Sequence, residues 1–198
     1  HFLSLADISS EEARVILQLA MEGKRQYLEG EQSRPMVGRT LALLFQKPSL
    51  RTRVSFEAGV NQLGGNTIFL SDDVGWGKRE SMKDFSAVLS AYVDIIACRA
   101  RAHQDVIALA EHASCPVINA LTNDLHPCQA MADALTIIEH GNLREDRLVW
   151  VGDGNNMAHS LIHLAGVLGM RLTICTPERY SADPAVVQHG RALCAESG

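Results

Sequence analysis

The chain has 198 residues, 46% hydrophobic and 21% charged, and 18 Lys and Arg against 23 Asp and Glu leave a formal charge of -5. Apolar content this high offsets the entropy of ordering and excludes intrinsic disorder, while the length allows one large domain or two small ones. The charge balance excludes a global basic field for nucleic acid, and the longest apolar runs are far too short to span a bilayer.

In chain order, Ser9 to Glu12 forms an S-x-x-E capping box. Ala13, Ile16, Leu17 and Ala20 follow at helical spacing, predicting a helix that ends near Gly30. Thr40 to Phe45 reads as a buried strand, and a helix begins at Pro48-Ser49 and closes at Gly64-Gly65. Asn66 to Leu70 is a short strand, followed by a Gly-rich charged loop from Ser71 to Arg79. Then come a helix over Glu80 to Ala91, a strand over Val93 to Cys98 and a helix over Asp105 to Ala113. A strand over Pro116 to Ala120 precedes a helix from Pro127 to His140, stopped by Gly141. The polar stretch Asn142 to Arg147 reads as a link. A second alternation follows: strand Leu148 to Val151, a Gly/Asn turn, helix Met157 to Leu168, strand Arg171 to Cys175, and a helix from about Asp183. Strands separated by helices predict an α/β fold with a mostly parallel sheet covered on both faces.

The five cysteines, Cys98, Cys115, Cys128, Cys175 and Cys194, are odd in number and lack CxxC spacing. They read as reduced, mostly buried thiols rather than a zinc site or disulfide frame. Reduced thiols lead to the cytoplasm as the expected compartment, and His1-Phe2-Leu3-Ser4, with neither a charged nor an apolar leader region, does not suggest export.

The strongest chemical signal is Lys47-Pro48-Ser49-Leu50-Arg51-Thr52-Arg53, placed where a strand gives way to a helix. Unpaired N–H groups and the positive end of the helix dipole favour an anion there. Ser49 and Thr52 add hydroxyls, and Arg51 adds a planar fork for phosphate oxygens. Arg99 lies just beyond another strand. His126-Pro127-Cys128-Gln129 lies beyond a third, with His126 near the N-cap, Pro127 in the first turn and Gln129 on the His126 face. Taken singly these are a capped basic turn, a surface arginine and a capping histidine. Together they fall at the carboxyl ends of three strands, where open parallel sheets bind ligands. An anion cradle with polar groups able to hold a carbonyl suits phosphoryl or acyl-phosphate chemistry.

Three other patterns are weaker. Gly152-Asp153-Gly154 begins like a dinucleotide fingerprint, with Glu178 after the next strand, but Met157 stands at the third glycine position. Cys128 and His126 are two residues apart, which does not bring side chains together on a helix, so a thiol nucleophile is disfavoured. His159 and His163 share a helix with Leu161, Leu164 and Val167 and read as packing or surface residues; no metal is expected.

Ser49-Leu50-Arg51-Thr52-Arg53 with Val54-Ser55-Phe56-Glu57 resembles the carbamoyl-phosphate signature of the aspartate/ornithine transcarbamoylase family. His126-Pro127-Cys128-Gln129 resembles its second motif, and Gly152-Asp153-Gly154-Asn155-Asn156 with Ser160 is similar to its ornithine branch. The resemblance implies a carbamoyl-phosphate domain over residues 1–141 and the start of a second α/β, Rossmann-like domain over 148–198. It implies that Ser49, Arg51, Thr52 and the Leu50 N–H hold the phosphate, that Arg99 and His126 donate to the carbamoyl oxygen, that Gln129 orients the amide, that Pro127 and Cys128 of the same motif belong to the substrate-binding set, and that Asn156 contacts the amino acid. It further implies transfer to the side-chain amine of L-ornithine in arginine metabolism, without cofactor or metal, in a cytoplasmic homotrimer with shared active sites, and with neither nucleic acid nor membrane as partner.

Departures keep alternatives open. Leu50 stands where many members have Thr, and Gly75-Trp76-Gly77-Lys78-Arg79 stands where the neighbouring subunit's loop commonly carries a glutamine; Trp76 or Lys78 could replace that contact. An acetyl- or succinyl-ornithine or aspartate acceptor therefore stays open. The family's later Ser-Met-Gly and His-Cys-Leu-Pro segments do not occur, so the expectation is a C-terminally truncated chain that binds better than it turns over. A non-catalytic phosphate-binding fragment and a nucleotide-binding oxidoreductase complete the alternatives.

Overall fold

The computed structural model describes residues 1–196. Among these residues six strands and seven α-helices alternate: α1 (Ser10–Glu29), β1 (Thr40–Phe45), α2 (Leu50–Gln62), β2 (Asn66–Leu70), α3 (Met82–Tyr92), β3 (Ile95–Arg99), α4 (His103–His112), β4 (Val117–Leu121), α5 (Pro127–His140), β5 (Arg147–Val151), α6 (Asn156–Leu168), β6 (Arg171–Cys175) and α7 (Pro184–Glu196). They form two compact units, one of residues 1–3 and 23–122, the other of residues 4–22 and 123–198.

The first unit is built on a parallel four-stranded sheet in the order β2-β1-β3-β4. Its centre follows from the apolar run in β1. Leu41, Leu43 and Phe45 point to one face with Val60 of α2, while Ala42 and Leu44 point to the other with Phe85 of α3 and Val106 and Leu109 of α4. A strand alternates its side chains, so only burial on both faces tolerates five consecutive apolar residues. Helices therefore cover both faces of this sheet. Phe2 extends the β4 side by a single bridge to Ile118.

Two boundaries differ from the sequence expectation in ways that matter for the site. Val93 caps α3 rather than opening β3, because the Asp94 carboxylate accepts from the Thr40 N–H at 2.8 Å and pairs with Arg39 at 2.6 Å. Arg99 is the last residue of β3, not the first beyond it. The β3–β4 register slips between Cys98 and Arg99, pairing Cys98 with Asn119 but Arg99 with Leu121. Such an irregularity re-aims the side chain that follows it.

In the second unit, β5 and β6 pair in parallel and α6 is buried along nearly its whole length. α6 and α7 approach through glycines: a Cβ on Gly166 would lie 2.6 Å from the Gly190 carbonyl oxygen. Along β5, Arg147, Val149 and Val151 are exposed while Leu148 and Trp150 are half-buried, so the outer side of this pair faces solvent. The N-terminal segment belongs here: Ser4 Oγ lies 3.3 Å from His163 Nδ1 on α6. α5 also packs on α6, which is why the compact units divide at residue 122 rather than across the polar stretch 142–147. The chain end at Ser197 and Gly198 lies outside the described residues.

The capping box at the start of α1 forms as its spacing requires. The Ser9 N–H donates to Glu12 Oε2 at 2.7 Å, and the Glu12 N–H donates to Ser9 Oγ at 3.1 Å. Of the apolar face expected on this helix, Ala13 and Leu17 are buried, whereas Ile16 is 38% exposed and Ala20 is exposed. No helix among the described residues is long and apolar enough to cross a membrane.

Candidate active site

In the first unit the site begins where β1 ends. Ser49 is the N-cap of α2, in extended conformation, and its Oγ accepts from the Thr52 N–H at 3.3 Å. The Ser49 hydroxyl donates in turn to Thr52 Oγ1 at 3.0 Å. That leaves the first-turn N–H groups of Leu50 and Arg51 with no intrahelical acceptor, at the positive end of the helix. Leu50 itself is 78% exposed.

Arg99 reaches the same turn from β3. Its Nη1 donates to Thr52 Oγ1 at 3.2 Å, while its buried Nε finds no hydrogen-bond partner among the described residues. Burial first, and then the charge of neighbouring Arg51, pull its pKa below the ordinary arginine value. Two guanidinium groups, two hydroxyls and a helix N-terminus thus converge on one place. That arrangement disfavours itself electrostatically and favours an anion with several oxygens. Arg53, part of the same basic run, is already engaged: it pairs with Glu57 at 2.9 Å and lies 3.7 Å over the ring of Phe69, beside the cavity it lines with Ser49 and Leu50.

The loop after β2 corrects one expectation. Trp76 is only 4% exposed, donates its indole N–H to Met82 Sδ at 2.8 Å and stacks on Phe85. A core side chain so held does not reach out to a ligand. Lys78 is exposed and pairs with Asp72 at 3.2 Å. Gly75 sits at φ 77, a left-handed conformation that side chains rarely adopt, where a Cβ would lie 3.0 Å from Arg79 Cβ.

In the second unit, His126 is the N-cap of α5 and Pro127 its first residue. The His126 N–H donates to Ser160 Oγ on α6 at 2.7 Å, and the Ser160 hydroxyl donates to the Asn156 carbonyl at 2.9 Å. Gln129 is exposed, its amide donating to Asp133 Oδ1 at 3.0 Å. The Asp133 carboxyl is raised by burial despite that contact. Asn156 opens α6 behind the N-cap Asn155, whose Oδ1 accepts from the N–H groups of Met157 and Ala158. The structure therefore joins Ser49, Thr52, Arg51 and Arg99 within one unit, and His126 and Asn156 through Ser160 within the other. Ser160 was visible in the sequence only as part of a motif. Its link to position 126 crosses 34 residues, and no local spacing reports it.

Two of the weaker sequence patterns are disfavoured. The space beside Gly154 is filled by protein: a Cβ there would lie 2.1 Å from the Ala182 N, and the Asn155 side chain accepts from the Met157 and Ala158 N–H groups, which disfavours a pyrophosphate at this turn. Cys128 is half-buried in the first turn of α5, and burial pushes its thiol up to about 12, which disfavours a nucleophilic thiolate. The thiols are not mostly buried, however. Cys98 and Cys115 are buried and Cys128 half-buried, but Cys175, at the end of β6, and Cys194, on α7, are exposed. Iodoacetamide at neutral pH is expected to label Cys175 and Cys194 first and to spare the other three, read by peptide mass mapping. No group of three His, Cys, Asp or Glu residues among those described could hold a metal.

Residues 1–139 match the carbamoyl-phosphate-binding domain of the aspartate/ornithine carbamoyltransferases, and residues 144–198 match their aspartate/ornithine-binding domain. The chain belongs to the aspartate/ornithine carbamoyltransferase family. Within this family it is 48% identical over 199 residues to an ornithine carbamoyltransferase of Anoxybacillus flavithermus, covering 100% of this chain and 63% of that relative. It is 44% identical to one of Haloquadratum walsbyi, covering 98% and 64%. The solved ornithine carbamoyltransferase of Pyrococcus furiosus matches the fold with a TM-score of 0.96 at 43% identity, over 100% of this chain and 64% of that one. The chain thus spans somewhat less than two thirds of the relatives it matches.

Proposed function

We propose that the chain carries the carbamoyl-phosphate half of an ornithine carbamoyltransferase, which moves the carbamoyl group to the side-chain amine of L-ornithine and yields L-citrulline and phosphate. The observation that carries this reading is Arg99, a half-buried cation whose Nε has no partner among the described residues and whose Nη1 meets the Ser49–Thr52 turn beside Arg51. In this reading Ser49, Arg51, Thr52 and the Leu50 N–H hold the phosphate. Arg99 and His126 donate to the carbonyl oxygen as negative charge grows on it, Gln129 orients the amide, and Asn156 contacts ornithine. The neutral amine attacks the carbonyl carbon and phosphate leaves, so rate comes from orientation and oxyanion stabilisation rather than from a protein nucleophile. The residues of the two family domains, 1–141 and 148–198, belong to a cytoplasmic homotrimer with shared sites in arginine metabolism.

The test is steady-state kinetics of Arg51→Ala in the full-length protein. The expected result is a fall in kcat/KM for carbamoyl phosphate of about 10²- to 10³-fold, the scale of losing a charge-assisted contact to a transferring group. An unchanged kcat/KM sinks the phosphate role. Running acetylornithine, succinylornithine and aspartate beside ornithine identifies the acceptor, with ornithine expected to be fastest.

A further inference from the structure

We propose that Ser160 and His159, consecutive on α6, are positioning residues that suspend the loop presenting His126. The proposal rests on the carbonyl-donor role of His126 stated above. The loop from residue 123 to 126 is gripped twice. Ser160 Oγ accepts the His126 N–H at 2.7 Å, and His159 Nδ1 lies 3.1 Å from the Asp124 carbonyl oxygen. The other ring nitrogen, Nε2, lies 3.1 Å from the Asp183 N. A carbonyl only accepts and an N–H only donates, so the ring is the neutral Nδ1–H form, donating to Asp124 and accepting from Asp183.

Ser160 is 1% exposed and its own proton is committed to the Asn156 carbonyl, so its oxygen is turned toward His126 with no freedom to rotate away. Through one hydroxyl, the backbone that carries His126 is tied to the first turn of α6, where Asn156 stands. His159 ties the same loop to the segment ending at Asp183, which packs over Gly154. Neither residue needs to touch substrate. Their effect is to fix where the His126 ring stands, and a displacement of about 1 Å in such a donor can cost on the order of 100-fold in rate.

The experiment has two arms. In the first, histidine-selective 15N labelling follows the His126 amide in the unmutated chain and in Ser160→Ala. The expected result is an upfield shift of that amide proton and faster hydrogen exchange. An unmoved, equally protected His126 amide overturns the hydrogen bond. In the second, performed on the full-length protein, Ser160→Ala is expected to lower kcat about 10- to 100-fold while the KM for carbamoyl phosphate stays within about threefold. Ser160→Thr, which keeps the hydroxyl, is expected to recover most of kcat. His159→Asn keeps a donor near the Nδ1 position and is expected to retain more activity than His159→Gln, which keeps an acceptor near Nε2. Equal kcat in Ser160→Ala and the unmutated protein overturns the positioning role. An unmutated protein that fails to carbamoylate ornithine refutes the activity reading instead, and the amide shift then decides the inference alone.

Discussion

Replacing Arg99 with methionine is expected to raise the thermal stability of the ligand-free chain while abolishing most of its carbamoyl transfer. The stability half follows from what surrounds the guanidinium. Among the described residues its buried Nε has no partner, its Nη1 donates to one hydroxyl, that of Thr52, and burial and then the charge of Arg51 depress its pKa. A buried unsatisfied donor costs about 1–3 kcal/mol, and like charge adds to the cost. Methionine keeps the length of the aliphatic stem and removes both penalties. For a chain of this size, 1 kcal/mol corresponds to about 2–4 °C in Tm, so calorimetry resolves the change.

The functional half has the opposite sign. A donor aimed at a carbonyl oxygen that gains charge during reaction contributes on the order of 10²- to 10³-fold to kcat. Carbamoyl phosphate is therefore expected to raise the Tm of the unmutated protein strongly and that of Arg99→Met weakly, since a ligand stabilises only by its affinity for the folded state. A lower Tm for ligand-free Arg99→Met would show that the arginine is a structural tie and not strain held for binding.

Much of this site is legible in the sequence because its chemistry is local. Ser49, Leu50, Arg51 and Thr52 occupy one turn, and a serine before a helix that follows an apolar strand specifies both the cap and its orphan N–H groups. The five-residue apolar run in β1 likewise announces a strand buried on both faces. What escapes is whatever depends on pairing across the chain. Arg99 reads as lying beyond its strand because no property of β3 alone reveals the slip against β4 that places it. Trp76 sits in a Gly-rich charged loop and reads as available, yet its ring finds Phe85 and Met82 in the core. His159 reads as packing or surface since its two partners lie 35 and 24 residues away. The N-terminal segment escapes most completely, with Ser4 meeting His163 across 159 residues. Periodicity reports which face is apolar; it does not report which element covers that face.

Gly154→Ala is expected to cost about 3 kcal/mol, among the larger effects available to a single methyl group, and the reason separates this chain from a nucleotide-binding one. In a dinucleotide fold the corresponding glycine lets a pyrophosphate approach the backbone. Here the space is filled by protein. A Cβ on Gly154 would lie 2.1 Å from the Ala182 N and 2.4 Å from both Ala182 Cα and the Ser181 carbonyl carbon. These are backbone atoms, which cannot swing aside as a side-chain tip can, and the Gly154 N–H donates to the Tyr180 carbonyl at 2.7 Å. The segment from 180 to 182 must therefore move as a piece or the turn must open. Gly23→Ala supplies the control: nothing lies within 4 Å of its added Cβ on α1, so the same chemical change there gains about 0.5–1 kcal/mol of helix propensity. Urea unfolding of the two variants is expected to move in opposite directions. If Gly154→Ala unfolds at the unmutated midpoint, or if NADH fluorescence rises on mixing with the unmutated chain, the glycine is there for a ligand and the oxidoreductase reading returns.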